Sequence, residues 1–147
     1  MKKGAALGLP AEATKQAKAL LFLSEVGYLT LKEGVGLTAI LEDVTENPYN
    51  LEFVEYTENN AKEVLHQADY CVMGADEAIL AGLQPHKEVL LEETPQMHSA
   101  QSMAALLVTT PENVENEKLL ILIKVLQSEE MQKYVEDTYK GAWGLFS

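Results

Sequence analysis

Residues 28–55, YLTLKEGVGLTAILEDVTENPYNLEFVE, decide how this chain is read. Residues 28–31 are a short run of strand-favouring side chains, and Gly34 and Gly36 then mark a turn. Residues 38–44 fit either a strand or a short helix by pattern and are taken as a strand followed by a turn. Asn47, Pro48, Tyr49 and Asn50 form a turn signal with a mechanism, since proline presets φ and asparagine tolerates left-handed backbone. Residues 51–56 then return as a strand of open facing, with Leu51, Phe53 and Glu55 alternating against Glu52, Val54 and Tyr56.

Working upstream, residues 4–10 read as a short buried strand stopped by Pro10. A helix follows over 13–26, because Ala19, Phe22, Leu23 and Val26 recur at helical spacing and Gly27 supplies the stop. Downstream, Asn60 and Glu63 have the spacing of a capping box, opening a helix with Ala61, Val64, Leu65 and Ala68 as its buried stripe. Residues 70–73 are a short apolar strand of the kind buried on both faces. A brief helix over 76–81 closes at Gly82. After Pro85, residues 88–91 are a candidate strand and 94–102 a loop. Residues 104–109 read as a buried strand, followed by helices over 115–126 and 128–139 before Gly141. In the first of these helices, Leu119, Leu122, Ile123 and Leu126 share a face.

Strands alternating with helices at this spacing imply βαβ units and a mostly parallel sheet. The expected fold class is α/β: a lobe with a mostly parallel sheet flanked by helices, followed by a C-terminal strand and two helices. The polar loop near residues 94–102 places the boundary between a unit over 1–98 and a segment over 99–147.

Composition narrows the function. The 147 residues fit one domain that buries roughly two-thirds of its unfolded surface. Hydrophobic residues make up 47%, enough for a core. All 11 basic residues are lysines, against 23 acidic ones, for a formal charge of −12. Such a field repels phosphate backbones and anionic headgroups, so nucleic acid and anionic membrane surfaces are disfavoured as partners. Cys71 is alone and sits in an apolar run, where a small core residue is expected rather than a nucleophile. His66, His86 and His98 share no metal-ligand spacing. No phosphate-cradling glycine loop or nucleophile elbow is present, so no cofactor, metal or catalysis is expected. Trp143 and Phe146 in the terminal GAWGLFS are candidates for packing on a partner. The start, MKKGAALGLP, has too short an apolar run for a secretory signal, and no lipid-attachment cysteine follows. On that reading alone the chain stays in the cytoplasm.

A set of short segments, in this order, resembles the second half of the methionine-binding lipoproteins, the NLPA-type substrate-binding subunits of bacterial methionine importers. They are residues 4–10, Ala19-Leu20-Leu21, Val26-Gly27-Tyr28 with Leu31-Lys32, Glu46-Asn47-Pro48 with Asn50-Leu51, Ala68-Asp69, Ala81-Gly82-Leu83, and Gln127-Ser128-Glu129-Glu130. The resemblance implies a periplasmic-binding-protein-like lobe, of which residues from about 5 to 97 correspond to the second lobe. Residues from about 103 onward would return into a first lobe whose main body this sequence lacks. It further implies a non-catalytic receptor for an amino acid of the methionine type, working with an ABC permease and ATPase. In that setting the protein is extracytoplasmic and membrane-anchored.

The resemblance also implies site residues: Thr14, Lys15, Lys18, Gly74 and Asp76. Where the family carries a segment like PNDPTNGGRAL, this chain reads PAEATKQAKAL, with Lys18 on the arginine and Lys15 on the asparagine. A lysine keeps the charge but lacks the planar fork that grips a carboxylate through two bonds. The same two lysines also read as a solvated first helical turn. Where the family has VINxNYA, this chain has Val72-Met73-Gly74-Ala75-Asp76-Glu77-Ala78, so Gly74 replaces a side-chain contact with backbone alone. Asp76 and Glu77 either face a ligand ammonium or favour the positive end of the following helix. A SPYxN-like segment is not recognisable in 96–104. The expectation is a binding-protein scaffold with lost or changed methionine recognition. The alternative is a non-binding interaction module that self-associates as a homodimer.

Overall fold

In the computed structural model, which describes residues 1–84, 87–104 and 106–139, β1 (Ala6–Pro10) is the middle strand of a three-stranded sheet. Strand β4 (Glu52–Tyr56) pairs with it in parallel along its whole length. On the other side β5 (Tyr70–Cys71) pairs in parallel with Leu7 and Gly8. The α/β class and the parallel sheet are thus as expected.

Period-two alternation sends Leu7 and Leu9 to one face and Gly8 to the other. Helix α1 (Ala13–Glu25) covers the leucine face, where Leu7, Leu9, Ala17, Leu20, Leu23 and Leu51 form the main core. Each fully buried leucine contributes about 1.5–3 kcal/mol of transfer free energy. The helix is rotated from the expected stripe. Gln16, Ala17, Leu20 and Leu23 lie inward with Ala19, while Phe22 and Val26 sit at its half-buried border. Gln16 can face inward because its amide donates to the carbonyl of Pro10 and to Glu55. Gly27 at φ 78° closes the helix: its N–H donates to the carbonyl of Ser24, and that of Tyr28 to the carbonyl of Leu23. This paired bonding is a Schellman stop.

The opposite face packs Tyr56 against Ala61 and Val64 of α2 (Ala61–Gln67), with Cys71 and Met73 beside them. A Cβ on Gly8 would lie 2.7 Å from the Cys71 sulfur and 3.1 Å from Val64, so this strand position must be glycine for the helix to seat. The facing of β4 is settled: Leu51 and Phe53 join the α1 side, and Tyr56 the α2 side. The capping box at Asn60 does not form, because the Asn60 side chain turns back to accept from the N–H of Thr57.

Other expectations are corrected. Residues 28–31 contribute only β2 (Thr30–Leu31), in a separate antiparallel ribbon with β3 (Val44–Glu46). Residues 38–44 are mostly two 3₁₀ turns, Gly36–Thr38 and Leu41–Asp43, the second closed by Asp43 accepting from the N–H of Ile40. The strand at 70–73 is shorter and only half-buried, since it lies at the sheet edge with one neighbour. Helix α3 (Ala75–Leu80) ends at Gly82 as expected. No strand occurs at 88–91, where the side chains are exposed. The expected loop at 94–102 contains α4 (His98–Ser102), docked on α1 by Glu25, whose carboxylate accepts from the N–H groups of His98 and Ser99.

The described residues of 104–109 carry no strand and Leu106, Leu107 and Val108 are exposed, because no neighbouring strand pairs with them there. Both expected C-terminal helices form. Asn116 caps α5 (Glu117–Leu126) and Ser128 caps α6 (Glu129–Tyr139). Beyond Ala100 no described residue is buried. Among the described residues no helix is long and apolar enough to cross a membrane. The expectations at Pro85, His86, Gly141, Trp143 and Phe146 lie outside the described residues.

Candidate functional site

Parallel strands bring their carboxyl ends to one edge, and the loops that follow them form the crevice where such sheets bind ligands. Here β1 ends at Pro10, β4 at Tyr56, and the chain leaving β5 reaches Gly74 at the start of α3. Between them lies a groove of about 430 Å³ bordered by Glu12, Lys15, Tyr56, Glu58, Asn59 and Glu77.

Glu77 is the hub. One of its oxygens lies 2.8 Å from the Lys15 ammonium, and the other accepts from the N–H of Gly74 at 3.0 Å. The Tyr56 hydroxyl sits 2.9 Å from that second oxygen and 2.9 Å from the Val72 carbonyl, sharing one proton between two acceptors. The Glu77 side chain is 5% exposed, so these bonds replace its hydration. Burial pushes its carboxyl up, but the bonds from Lys15, Gly74 and Tyr56 outweigh burial and hold it below the ordinary carboxylate range. Lys15 is raised, chiefly by its bond to Glu77. Burial, reinforced by the Glu77 charge, pushes the Tyr56 phenol far above its usual range. Burial likewise drives the Cys71 thiol to about 11, consistent with the core role expected for it.

Glu12 caps α1. Its two carboxylate oxygens accept from the N–H groups of Thr14 and Lys15 at 3.0 and 2.9 Å, which lowers its titration. Glu58 lies 3.4 Å from Lys15 and its side chain is 80% exposed.

Of the residues singled out from sequence, Lys15 and Gly74 meet through Glu77. Thr14 stands exposed in the first turn of α1, and its N–H bonds Glu12. Lys18 is engaged elsewhere, 2.9 Å from Glu93. Asp76 is exposed next to Gly74. Sequence reasoning passed over Glu77 as a partner for Lys15, and Tyr56 and Glu12 altogether. The signal for Glu77 was its position three residues after Gly74, the spacing at which a carboxylate returns to the helix-opening N–H. Among the described residues no three His, Cys, Asp or Glu side chains gather as a metal site.

A model of the family described as NlpA lipoprotein matches residues 1–144. The chain is 29% identical over 143 residues to the D-methionine-binding lipoprotein MetQ of Escherichia coli, covering 96% of this chain and 51% of that protein. Among solved structures it resembles a periplasmic substrate-binding protein of an ABC transporter from Coxiella burnetii, at TM-score 0.72 and 25% identity, covering 97% of this chain and 58% of the other. A nutrient-binding protein from Burkholderia cenocepacia bound to methionine superposes at TM-score 0.68 and 26% identity, with 97% of this chain and 58% of that one covered. The chain spans about half the length of the curated relatives it matches.

Proposed function

The chain belongs to the NlpA lipoprotein family, and from that premise we propose that it forms the ligand-binding half of a solute receptor serving a methionine-type ABC importer. The observation that carries this reading is the groove at the carboxyl ends of the parallel strands, organised by Lys15, Glu77 and Tyr56. Its ligand is a small amino acid or a close derivative, met by Thr14, Lys15, Lys18, Gly74 and Asp76. Its partners are a permease and an ATPase. The protein acts outside the cytoplasmic membrane, held there by a lipid anchor as the names of its relatives imply. Residues 1–98 serve as the lobe and 99–147 as the segment that docks elsewhere. The role is non-catalytic: no histidine, cysteine or serine lines the groove to act as nucleophile or proton shuttle. Calorimetric titration with L- and D-methionine and their methyl esters tests the reading. Saturable binding of any of these supports a ligand-binding lobe, and heats of dilution alone for all of them overturn it.

A second reading rests on a separate observation. Leu106, Leu107 and Val108 and most of the apolar side chains of α5 are exposed, which is uncommon for a lone soluble chain. A homodimer in which this segment of one copy covers that of another would bury them. Sedimentation at micromolar concentration is expected to show dimers, and a clean monomer removes this reading.

A further inference from the structure

Building on the ligand-binding reading, we propose that the groove selects a primary ammonium ligand without an adjacent free carboxylate, because the chain's own side chains occupy every seat an anion would take. A carboxylate binds best at a helix N-terminus or against a cation. Two helices begin at the groove, and both are already capped by internal carboxylates. Glu12 accepts from the first-turn N–H groups of α1, and Glu77 accepts from the N–H that opens α3. The one lysine lining the groove is held between Glu77 at 2.8 Å and Glu58 at 3.4 Å. Lys18, the next lysine along α1, is paired with Glu93.

An incoming carboxylate must therefore displace Glu77, which is 5% exposed and also bonded to Tyr56 and Gly74. An ammonium faces no such competition. Glu58 is 80% exposed and its contact to Lys15 is the long one, so its carboxylate can swing to a new cation. Each Glu12 oxygen accepts one backbone N–H and retains a further lone pair. The lining carries three carboxylates against one ammonium, inside a chain of charge −12, so the long-range field favours a cation as well.

Calorimetry on the full chain with three probes tests this: L-methionine methyl ester keeps the ammonium and blocks the carboxylate, N-acetyl-L-methionine does the reverse, and L-methionine has both. The ester is expected to bind about tenfold more tightly than methionine, with no saturation by the acetyl compound. Glu58→Gln, at an exposed position, should weaken the ester about fivefold without moving the melting temperature. Glu77→Gln should shift preference towards methionine by freeing Lys15. Tighter binding of methionine or N-acetyl-methionine than of the ester sinks this inference and leaves the ligand-binding reading standing. An ester affinity unchanged by Glu58→Gln also counts against it. Saturation by none of the three overturns the binding reading itself, and the inference with it.

Discussion

At the scale of single residues, Glu77 joins three elements through Lys15 on α1, Tyr56 on β4 and its own helix start at Gly74. Removing it in Glu77→Ala strands the Gly74 N–H and the Lys15 charge, and is expected to cost about 2–3 kcal/mol in denaturant unfolding. The Lys15 share is the smaller, because that side chain is a third exposed and screened. The pH dependence has a definite sign. A carboxyl held below its unfolded value stabilises fully above the ordinary carboxylate range and loses that contribution as pH falls through its folded value. The melting temperature of the wild type should thus fall more than that of Glu77→Gln as pH drops from about 6 to about 3. Parallel curves would show that Glu77 is not the group responsible. Lys15, being raised, behaves oppositely and loses its contribution only in strong alkali. Gly8 offers a second residue-level test. Gly8→Ala drives a methyl against the Cys71 sulfur and Val64, an overpacking worth about 1–3 kcal/mol. An unchanged midpoint would mean that α2 can retreat. Lys15 and Gly74 were legible in sequence as site residues, but their common partner was not, since Glu77 reads equally well as a helix-dipole acid. Tyr56 was hidden because the alternation of 51–56 allowed either face inward.

At the scale of elements, Glu25 sits in the last turn of α1, where a negative charge opposes the helix dipole. Its use is to cap another helix: both oxygens receive the first N–H groups of α4, and these bonds lower its titration. Glu25→Ala should therefore leave α1 intact while amide exchange at 98–102 quickens several-fold. Equal exchange rates would show that α4 is held by Ala100 packing alone. This link explains why α4 was read as a loop. A five-residue helix has too little periodicity to announce itself, and its cap lies far upstream in sequence. The elements with complete local signals were legible: β1 before Pro10, α1 before Gly27, and the turn at 47–50, where Asn50 adopts φ 49°. The strands at 88–91 and 104–109 were over-read, because an apolar β-prone run becomes a strand only when another strand pairs with it.

For the molecule as a whole, burial is lopsided. The core lies between β1 and α1, and the chain beyond Ala100 buries nothing among its described residues. Replacing exposed Leu120 and Ile121 on α5 by lysine should barely change the melting temperature, while reducing dye binding to apolar surface and any self-association. A large drop in stability would instead place α5 within the cooperative unit. The α/β class was legible because strand and helix periods alternate through residue 82. The fate of the last third was not, because its pattern describes a surface made to be covered and does not name the cover.

Cys71 has one more use. It is the chain's lone thiol, half-buried on an edge strand behind Gly8 and titrating near 11. At neutral pH a maleimide will find almost no thiolate while the strand stays docked. Labelling should accelerate only when that flank peels away, so the reaction half-time would clock local opening with no engineered reporter. Labelling as fast as that of free cysteine would reveal a flank already ajar.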